Sequence, residues 1–585
     1  MKSPLSRNLL SLAVALAAAA PTLAQAQSLP YGDMTGGGAG YGAGSRDRAA
    51  ADAADDGDDN GDAPRRSGKP RVKISPYIEA QQVVFAELHP GKETLTYSVV
   101  AAGVDAALAG RNNQGSVSLR YERRFGWGNQ AQDSNVVSGI ARVSSAVVPG
   151  TLRIDAGAMA ARNAVENNGS LSSGGLAFGD SVTQIYSVYA GPTLTTHAGD
   201  VAINGAYRLG YNRVESPNAI PVAAGQPQID LFDDSVVHSA SLHAGVKPGD
   251  VLPVGLGVGA GYNREDISNL DQRVEDFHAR ADATLPVTSD LSLVGGVGWE
   301  KVQVSSRDAV RDPLTGNPVI GKDGRYVTDK AAPRQMAYDV EGLIWDAGVL
   351  WRPSRRTALE AHVGRRYGST TYYGSFAYAP NNRTSLNLSV YDTIAGFGGQ
   401  LNNALASMPT QFEAVRNPFN GNLNTCVAAT GSVGSGQSAC LGSALSSVRS
   451  SVFRSRGVMA SYSRSGDRLQ YGVGLGYDRR KFLAAPGTVL AAANGIIDEN
   501  YWIAAYLSGR IDRSSSFSTN VYANWYQPGD AAIGDQRGVG ATAAYYRSIT
   551  NHLSVTAAVG LDGVTREDLV DIWSTQAMAG VRYSF

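Results

Sequence analysis

The sequence lacks the long apolar run that a membrane-spanning helix requires. Beyond the amino-terminal region, no stretch of about eighteen or more apolar residues occurs, and the mean hydropathy of the chain is slightly negative. No sequence repeat of the length used by solenoids or propellers is present either. These absences exclude a helical membrane protein and a repeat architecture.

Catalytic motifs are also absent, and charge is scarce. The charged fraction is 18% and the net charge is −1, so nothing attracts nucleic acid, and we expect no nucleic-acid partner. The sequence contains no Gly-x-Ser-x-Gly, phosphate-binding loop or His-Glu-x-x-His motif. Gly179-Asp180-Ser181 is similar to a hydrolase serine motif but has no histidine at a meaningful spacing. We therefore predict neither an enzyme nor a cofactor.

Metal-binding patterns are incomplete. Residues 56–61, Asp-Gly-Asp-Asp-Asn-Gly, fit the start of a calcium-binding loop, but the twelfth position is Ser67 where such loops carry glutamate. Weak, non-specific cation binding by an acidic segment is the simpler interpretation. We predict no specific metal site.

Glycine and tyrosine are abundant. The chain has 68 glycines in 585 residues, and its 27 tyrosines outnumber the 13 phenylalanines and 7 tryptophans together. Tyrosine suits the interface between lipid and water, and glycine suits tight turns and crowded sheet walls. This composition favours a transmembrane β-barrel.

The amino-terminal region has the pattern of an export signal. Lys2 and Arg7 precede an apolar stretch at 9–20, and residues 24–26, Ala-Gln-Ala, form a small-x-small cleavage site. We expect residues 1–26 to be a secretory signal peptide. Residues 27–71 are first glycine-rich and then acidic, without hydrophobic periodicity, so we expect a disordered periplasmic tail.

From residue 72 onward, apolar residues recur at every second position. The last strand is an example, with apolar residues at alternate positions from Ala577 to Phe585. Successive strand side chains point to opposite faces, so this period can present hydrocarbon to lipid and polar groups to a wet lumen. The terminal Tyr583 and Phe585 suit a signal read by the barrel-assembly machinery. The sequence predicts an all-β, antiparallel up-and-down barrel in the outer membrane over residues 72–585.

Connection lengths support this fold class. Tight turns near 111–114, 149–150, 198–199, 288–290, 353–355, 380–383, 466–467, 513–514 and 551 broadly alternate with longer links. Outer-membrane barrels use short turns on the periplasmic side and longer loops outside. Counting in this way gives about 22 strands, an even number that returns both ends of the barrel to the periplasm.

The polar phase of the strands contains charged residues that we expect to line the lumen. The candidates are Arg120, Glu122, Arg124, Arg208, His278, Arg280, Asp282, Glu300, Glu360, His362, Arg366 and Arg510. Opposite charges on neighbouring strands would form ladders that set the field of the pore. The alternative is that they are paired wall charges with no role toward a substrate, which we favour for any single residue.

The longest link, residues 394–451, contains apolar residues at helical spacing near its start. Cys426 and Cys440 lie further along it, and in an oxidising compartment they are expected to form a disulfide. The loop is either a stapled surface flap or a constriction folded into the mouth of the barrel. We expect the flap.

One stretch resembles a known family. Residues 364–368 (Gly-Arg-Arg-Tyr-Gly), 374–376 (Gly-Ser-Phe), 383–386 (Arg-Thr-Ser-Leu) and 391–392 (Tyr-Asp) resemble the uncharacterised outer-membrane β-barrel family associated with PEP-CTERM and exosortase systems. That resemblance implies a role in the envelope and in exopolysaccharide production. Residues 74–83 also look like barrel proteins that carry the name preprotein translocase subunit YajC. The missing membrane-spanning helix argues against the translocase itself.

These observations lead to three functional hypotheses. The first is a passage, or a support for one, for envelope material such as exopolysaccharide, with outer-membrane lipid as its surroundings. The second is a porin-like channel for small solutes. The third is a non-conducting scaffold or receptor.

Overall fold

The computed structural model describes most of the predicted barrel region. It describes residues 71–127, 134–165, 171–172, 182–215, 220–221, 228–229, 234–381, 383–413, 416–419, 426–429, 439–440, 451–529, 534–567 and 570–585. The predicted signal peptide, the predicted tail up to residue 70, the acidic segment at 56–61 and the Gly179-Asp180-Ser181 motif lie outside these residues.

The described residues form one closed antiparallel sheet of 22 long strands. The first eleven are β1 Arg71–His89, β2 Thr94–Ala109, β3 Asn113–Trp127, β4 Ser134–Val148, β5 Leu152–Val165, β6 Val182–Ala198, β7 Val201–Glu215, β8 Asp234–Val246, β9 Gly255–Ile267, β10 Gln272–Pro286 and β11 Leu291–Ser306. The others are β12 Gln335–Ser354, β13 Thr357–Arg366, β14 Ser369–Asn381, β15 Thr384–Ala395, β16 Val452–Ser465, β17 Leu469–Leu483, β18 Ile497–Arg510, β19 Ser515–Gln527, β20 Gln536–Ser548, β21 Leu553–Arg566 and β22 Ile572–Ser584.

The barrel closes between its first and last strands. Tyr77 of β1 lies opposite Ser584 of β22, and Ile78 lies opposite Tyr583. The backbone N–H of Phe585 donates to the carbonyl of Pro76. Each of the remaining long strands pairs with the long strands before and after it in the sequence, so no sheet edge is left among the long strands. Because the barrel is closed, the backbone N–H and C=O groups of the edge strands are hydrogen-bonded. A sheet that spans a bilayer requires this, since lipid offers no hydrogen-bond partners. The predicted fold class and strand number are confirmed.

Polar side chains stabilise the tight turns at the end of the barrel where the chain enters and leaves. Asp512 accepts backbone hydrogen bonds from Ser514 at 2.7 Å and Ser515 at 2.8 Å, and these bonds hold the pKa of the Asp512 carboxyl below its usual range. Such local bonds favour turns over continued strand. Each predicted tight turn overlaps a connection between strands at this end, and the connection at 247–254 is an additional one.

The outer face of the barrel is apolar and meets the membrane. Leu343 is 67% exposed, and Val258 and Val559 are each 60% exposed. Aromatic residues mark both ends of this band: Trp351 and Tyr545 lie near the periplasmic turns, and Phe277 packs against Trp299 nearer the loops, with ring centroids 6.2 Å apart. An apolar band between aromatic belts is typical of outer-membrane barrels. The protein is therefore located in the outer membrane, as predicted.

Regular structure outside the wall is limited in the described part of the chain. One α-helix, α1, spans Phe397–Ser407, and short 3-10 turns lie at Asn269–Asp271 and Ala491–Ala493. Two-residue strands at Ile220–Pro221 and Gln228–Ile229 pair in one loop. Within the described ranges, no helix is long and apolar enough to cross a bilayer.

Candidate functional site: the occupied lumen

Most of the predicted charged residues are buried inside the barrel, where they form ion pairs along the wall. In the first group, on β1 and β3, Arg120 bonds to Glu79 and to Glu122, the latter at 3.1 Å. Arg124 donates through Nε to Glu122 at 2.8 Å. Arg120, Glu122 and Arg124 are buried in the barrel.

A second group joins β10, β11 and β13. Arg366 donates through Nη2 to Asp276 at 2.8 Å and through Nε to Glu300 at 3.2 Å, and it lies 3.0 Å from Nδ1 of His278. The hydroxyl of Tyr367 donates to Asp276 at 3.2 Å. Because one guanidinium serves two buried carboxylates, this group ties together strands that are not direct neighbours.

A third group lies on the next rungs of the same wall. Arg280 donates to Asp346 at 3.0 Å, and His362 Nδ1 lies 2.9 Å from the same carboxylate. His362 Nε2 is 3.3 Å from Glu360. Separately, Asp282 lies 3.2 Å from His243 Nε2. Asp346 follows the outward Trp345 and so lies in the inward phase of β12, but this phase also carries the apolar Ile344 and Leu350, which made it hard to recognise as polar.

The two remaining candidates lie apart from these groups. Arg510 is at the periplasmic end of β18 and is exposed. Arg208 donates to Asn403 of α1 at 2.8 Å. Because acids and bases alternate closely in the three groups, the wall charges are largely neutralised by one another.

The start of the long loop enters the barrel. Residues 396–413 and 416–419, here called the lumenal segment, contain α1, whose Phe397, Leu401 and Leu405 are completely buried. The helix packs against β5, β6, β7 and β8 and against its own β15. The helical spacing predicted from the sequence is correct, but the expectation of a surface flap is wrong for this segment. Apolar side chains at that spacing need an apolar surface, and the inner wall supplies it.

Glu265 holds the beginning of α1. Its carboxylate accepts backbone hydrogen bonds from Gly396 at 2.7 Å and from Gly399 at 3.0 Å. A side chain added at Gly398 would meet Ser235 Oγ at 2.0 Å, and one added at Gly399 would meet Glu265 at 2.5 Å. Carboxylates stabilise helix amino termini by satisfying the N–H groups there. The glycines let the backbone approach the wall closely enough for these bonds.

The middle and end of α1 make further polar contacts with the wall. Asn402 donates to Ser187 Oγ at 2.9 Å and also bonds to Asn212. Arg142 donates to the backbone carbonyls of Leu405, at 2.7 Å, and Ala406. A cation at the carboxyl end of a helix complements the helix dipole. The helix is thus bonded to the wall at both ends and in its centre.

Beyond α1, the segment continues toward the periplasmic side. The N–H of Phe412 donates to Ser116 Oγ at 3.1 Å, and Ser116 is only three positions after the periplasmic start of β3. Arg416 donates to Ser118 and Ser138. Phe419 then packs against the wall near Gly560. The lumenal segment therefore follows most of the height of the barrel.

Part of the inner wall is apolar, although the alternation of the strands predicts polar residues there. The inward positions that face α1 include Ile140, Ile185, Val214, Ile267 and Val302, none more than 2% exposed. They form one cluster with Phe397, Leu401 and Leu405. In the sequence, these residues are apolar side chains at inward positions, where the alternation predicts polar ones, near the external ends of the strands. Burial of each such side chain contributes about 1.5–3 kcal/mol.

The predicted disulfide lies further along the loop. Two short strands, Cys426–Ala429 and Ala439–Cys440, pair so that Cys426 lies directly opposite Cys440 along the backbone. The disulfide and its effect stay predictions. Within the described residues, no group of His, Cys, Asp or Glu side chains is arranged to hold a metal ion.

Comparison with known proteins gives structural likeness only. No protein-family model matches the chain, and no curated protein sequence matches it. Among solved structures, the FrpB iron transporter of Neisseria meningitidis shares 11% identity at a TM-score of 0.42, over 87% of this chain and 82% of that one. The ferric-catecholate import receptor Fiu of E. coli K12 shares 9% identity at a TM-score of 0.43, over 87% and 81% of the two chains. A loop-deleted OmpT, an outer-membrane protein of Vibrio cholerae, covers 88% of this chain and 99% of its own at 9% identity and a TM-score of 0.25.

Proposed function

We propose that this outer-membrane barrel is a gated passage for hydrophilic envelope material, with polysaccharide as the cargo class and the lumenal segment as its gate. The observation that carries the proposal is the seating of α1 in the lumen by Glu265, Asn212 and Arg142. A structural barrel without transport needs no such specific seat for one of its own loops.

The composition of α1 supports a gate rather than a permanent filling. The helix has only 11 residues, and these include Gly398, Gly399, Asn402 and Asn403, which are poor helix formers. Isolated helices shorter than about 12–15 residues are marginal in water. Because α1 is stable only against the wall, leaving the wall and unfolding are one event, which gives the passage two states.

The cargo class is supported by the resemblance of residues 364–392 to the exosortase-associated barrel family. Arg366 and Tyr367 of that stretch belong to the second ion-pair group, and Asp392 accepts from Arg454 at 2.6 Å. Tyr367 belongs to the same buried cluster as Phe397 of α1, and α1 also contacts β15, which carries Asp392. This part of the wall therefore lies beside the seat of α1, and its polar groups suit a hydrated polymer.

Assembly is proposed to use the last strand. Tyr583 and Phe585 are 42% and 67% exposed on the outer face, with ring centroids 5.2 Å apart. An aromatic carboxyl terminus presented outward is available to the barrel-assembly machinery before the strand pairs with β1.

Proteoliposomes test the transport proposal. Vesicles loaded with a fluorescent dextran should release it slowly with the wild-type protein and faster with Leu401→Ala/Leu405→Ala, which loosens α1. Release of small sugars without dextran would favour the porin alternative. No release of either from the loosened variant would favour a scaffold or receptor.

A further inference from the structure

The wall beneath the carboxyl end of α1 carries a cluster of cationic and aromatic side chains. Arg142 of β4 and Tyr189 of β6 lie on one rung of the sheet, on either side of Gly157 of β5. The guanidinium of Arg142 is 5.5 Å from the centre of the Tyr189 ring, and that of Arg208 is 5.8 Å from the same ring. These three side chains are here called the Arg–Tyr cluster.

Glycine at position 157 makes this cluster possible. A side chain at Gly157 would meet Tyr189 at 2.5 Å and Arg142 at 3.0 Å. The missing side chain is what allows the two residues to approach each other across β5. When a guanidinium stacks on an aromatic ring, its N–H groups lie in the plane of the guanidinium and are available for oxygen ligands.

In the closed state, oxygens of the lumenal segment occupy this cluster. Arg142 Nη1 donates to the carbonyls of Leu405 and Ala406, and Arg208 donates to Asn403 Oδ1. Two atoms are still unsatisfied: Arg142 Nε and the Tyr189 hydroxyl are buried and have no hydrogen-bond partner among the described residues. Arg142 is 6% exposed and Tyr189 is 3% exposed. Buried polar groups without partners are costly, so neutral carbonyls are an incomplete match for this cluster.

We propose that the Arg–Tyr cluster is a binding site for the carboxylate of an acidic polysaccharide, and that this ligand competes with α1 for it. The inference deepens the proposed function and rests on it. A carboxylate has two oxygens in the plane that a guanidinium fork prefers, and the charge-assisted bond is stronger than that to a carbonyl. A carboxylate bound side-on takes Nε together with Nη2, so the ligand would satisfy the Nε that the carbonyls of α1, which are bound by Nη1, leave without a partner.

The surroundings of the cluster favour a polymer over a small anion. Toward the mouth, Asn402 covers Ser187 and Asn212, and toward the periplasm Phe412 covers Ser116. When the lumenal segment leaves, these groups form a row of hydroxyl and amide partners above and below the cluster. Such partners match the hydroxyl groups of successive sugar residues.

The test is binding of hexagalacturonate to the full-length protein in detergent, measured by titration calorimetry. On the Leu401→Ala/Leu405→Ala background, we expect binding roughly tenfold tighter than in the wild type, because α1 competes less. Arg142→Gln on that background should weaken binding by roughly tenfold or more. Tyr189→Phe, which keeps the packing, should weaken it less. Arg383→Gln, at an exposed periplasmic turn, is the matched control and should leave binding unchanged.

Three results would overturn the inference. They are equal affinity for neutral maltohexaose, equal affinity for inorganic phosphate, and unchanged binding in both Arg142→Gln and Tyr189→Phe. Failure here is separable from failure of the gate. Dextran release without hexagalacturonate binding removes the site and leaves the passage, whereas binding without release removes the passage and leaves a receptor site.

Discussion

Glu265, on β9, accepts a backbone hydrogen bond of 3.0 Å from Gly399, in the first turn of α1. The carboxylate is 4% exposed, and its other oxygen accepts from Gly396. Hydrogen bonds to a charged group contribute about 1.5–3 kcal/mol. This contact therefore decides much of the balance between a seated and an unseated helix.

Replacing Glu265 should open the passage. Glu265→Gln keeps the shape but presents an N–H group to one of the two backbone donors, so the start of α1 loses a partner. We expect the open probability in planar bilayers to rise roughly tenfold, since about 1.4 kcal/mol corresponds to that factor. Glu341→Gln, whose carboxylate pairs with Lys301 at the surface, is the control. Equal open probability in both variants would contradict the role of Glu265.

Removing the apolar anchors of α1 should affect the gate and not the barrel. Leu401 and Leu405 are completely buried, and truncating such a residue to alanine costs about 2–5 kcal/mol. We expect Leu401→Ala to raise conductance while the β-sheet circular-dichroism signal and its thermal midpoint change little. Leu343→Ala, on the lipid face, should change neither. A large fall in the midpoint for Leu401→Ala would mean that α1 is part of the barrel core.

A methyl group on the wall should displace the helix. A Cβ at Gly210 would lie 1.6 Å from Asn402 Oδ1, so Gly210→Ala should push Asn402 away from Ser187 and Asn212. We expect protease cleavage within 396–413 to become faster. The control is Gly295→Ala, where the nearest atom is a backbone oxygen at 3.7 Å. Equal protection of the two variants would show that α1 tolerates the displacement.

The second ion-pair group should be important for stability. Arg366→Met leaves Asp276 and Glu300 buried without their cation, and breaking a buried pair in this way costs about 3–5 kcal/mol. We expect a clearly lower midpoint in urea unfolding. Arg383→Gln removes an exposed pair with Asp467, and such pairs contribute at most about 1 kcal/mol. Similar midpoints for the two variants would mean that the buried group is dispensable.

The strands could be predicted because lipid outside and charge inside impose a period of two on each strand. The same rule placed Arg120, His278 and Arg366 on the inner face. It could not show which strands each charge would join, because pairing depends on the curvature and register of the whole barrel. Hence Arg366 reaching Asp276, three strands away around the barrel, follows from the closed structure alone.

The lumenal segment shows where the period-two rule fails. The helical spacing of its apolar residues could be recognised, but nothing in the sequence of a loop shows whether the loop lies outside or inside the barrel. The decisive residues were Ile140, Ile185 and Val214, apolar in the inward phase of their strands. Taken alone, each of them is simply an apolar residue at a position where the alternation predicts a polar one. Only the packing of α1 shows that they form a complementary surface.

The most direct test of the gate is single-channel conductance before and after residues 396–451 are replaced by a short Gly-Ser linker. We expect the wild type to be mostly closed and the replaced protein to show a large, steady conductance with the same barrel content by circular dichroism. A replaced protein that folds and inserts but conducts no more than the wild type would show that the lumenal segment is not a gate.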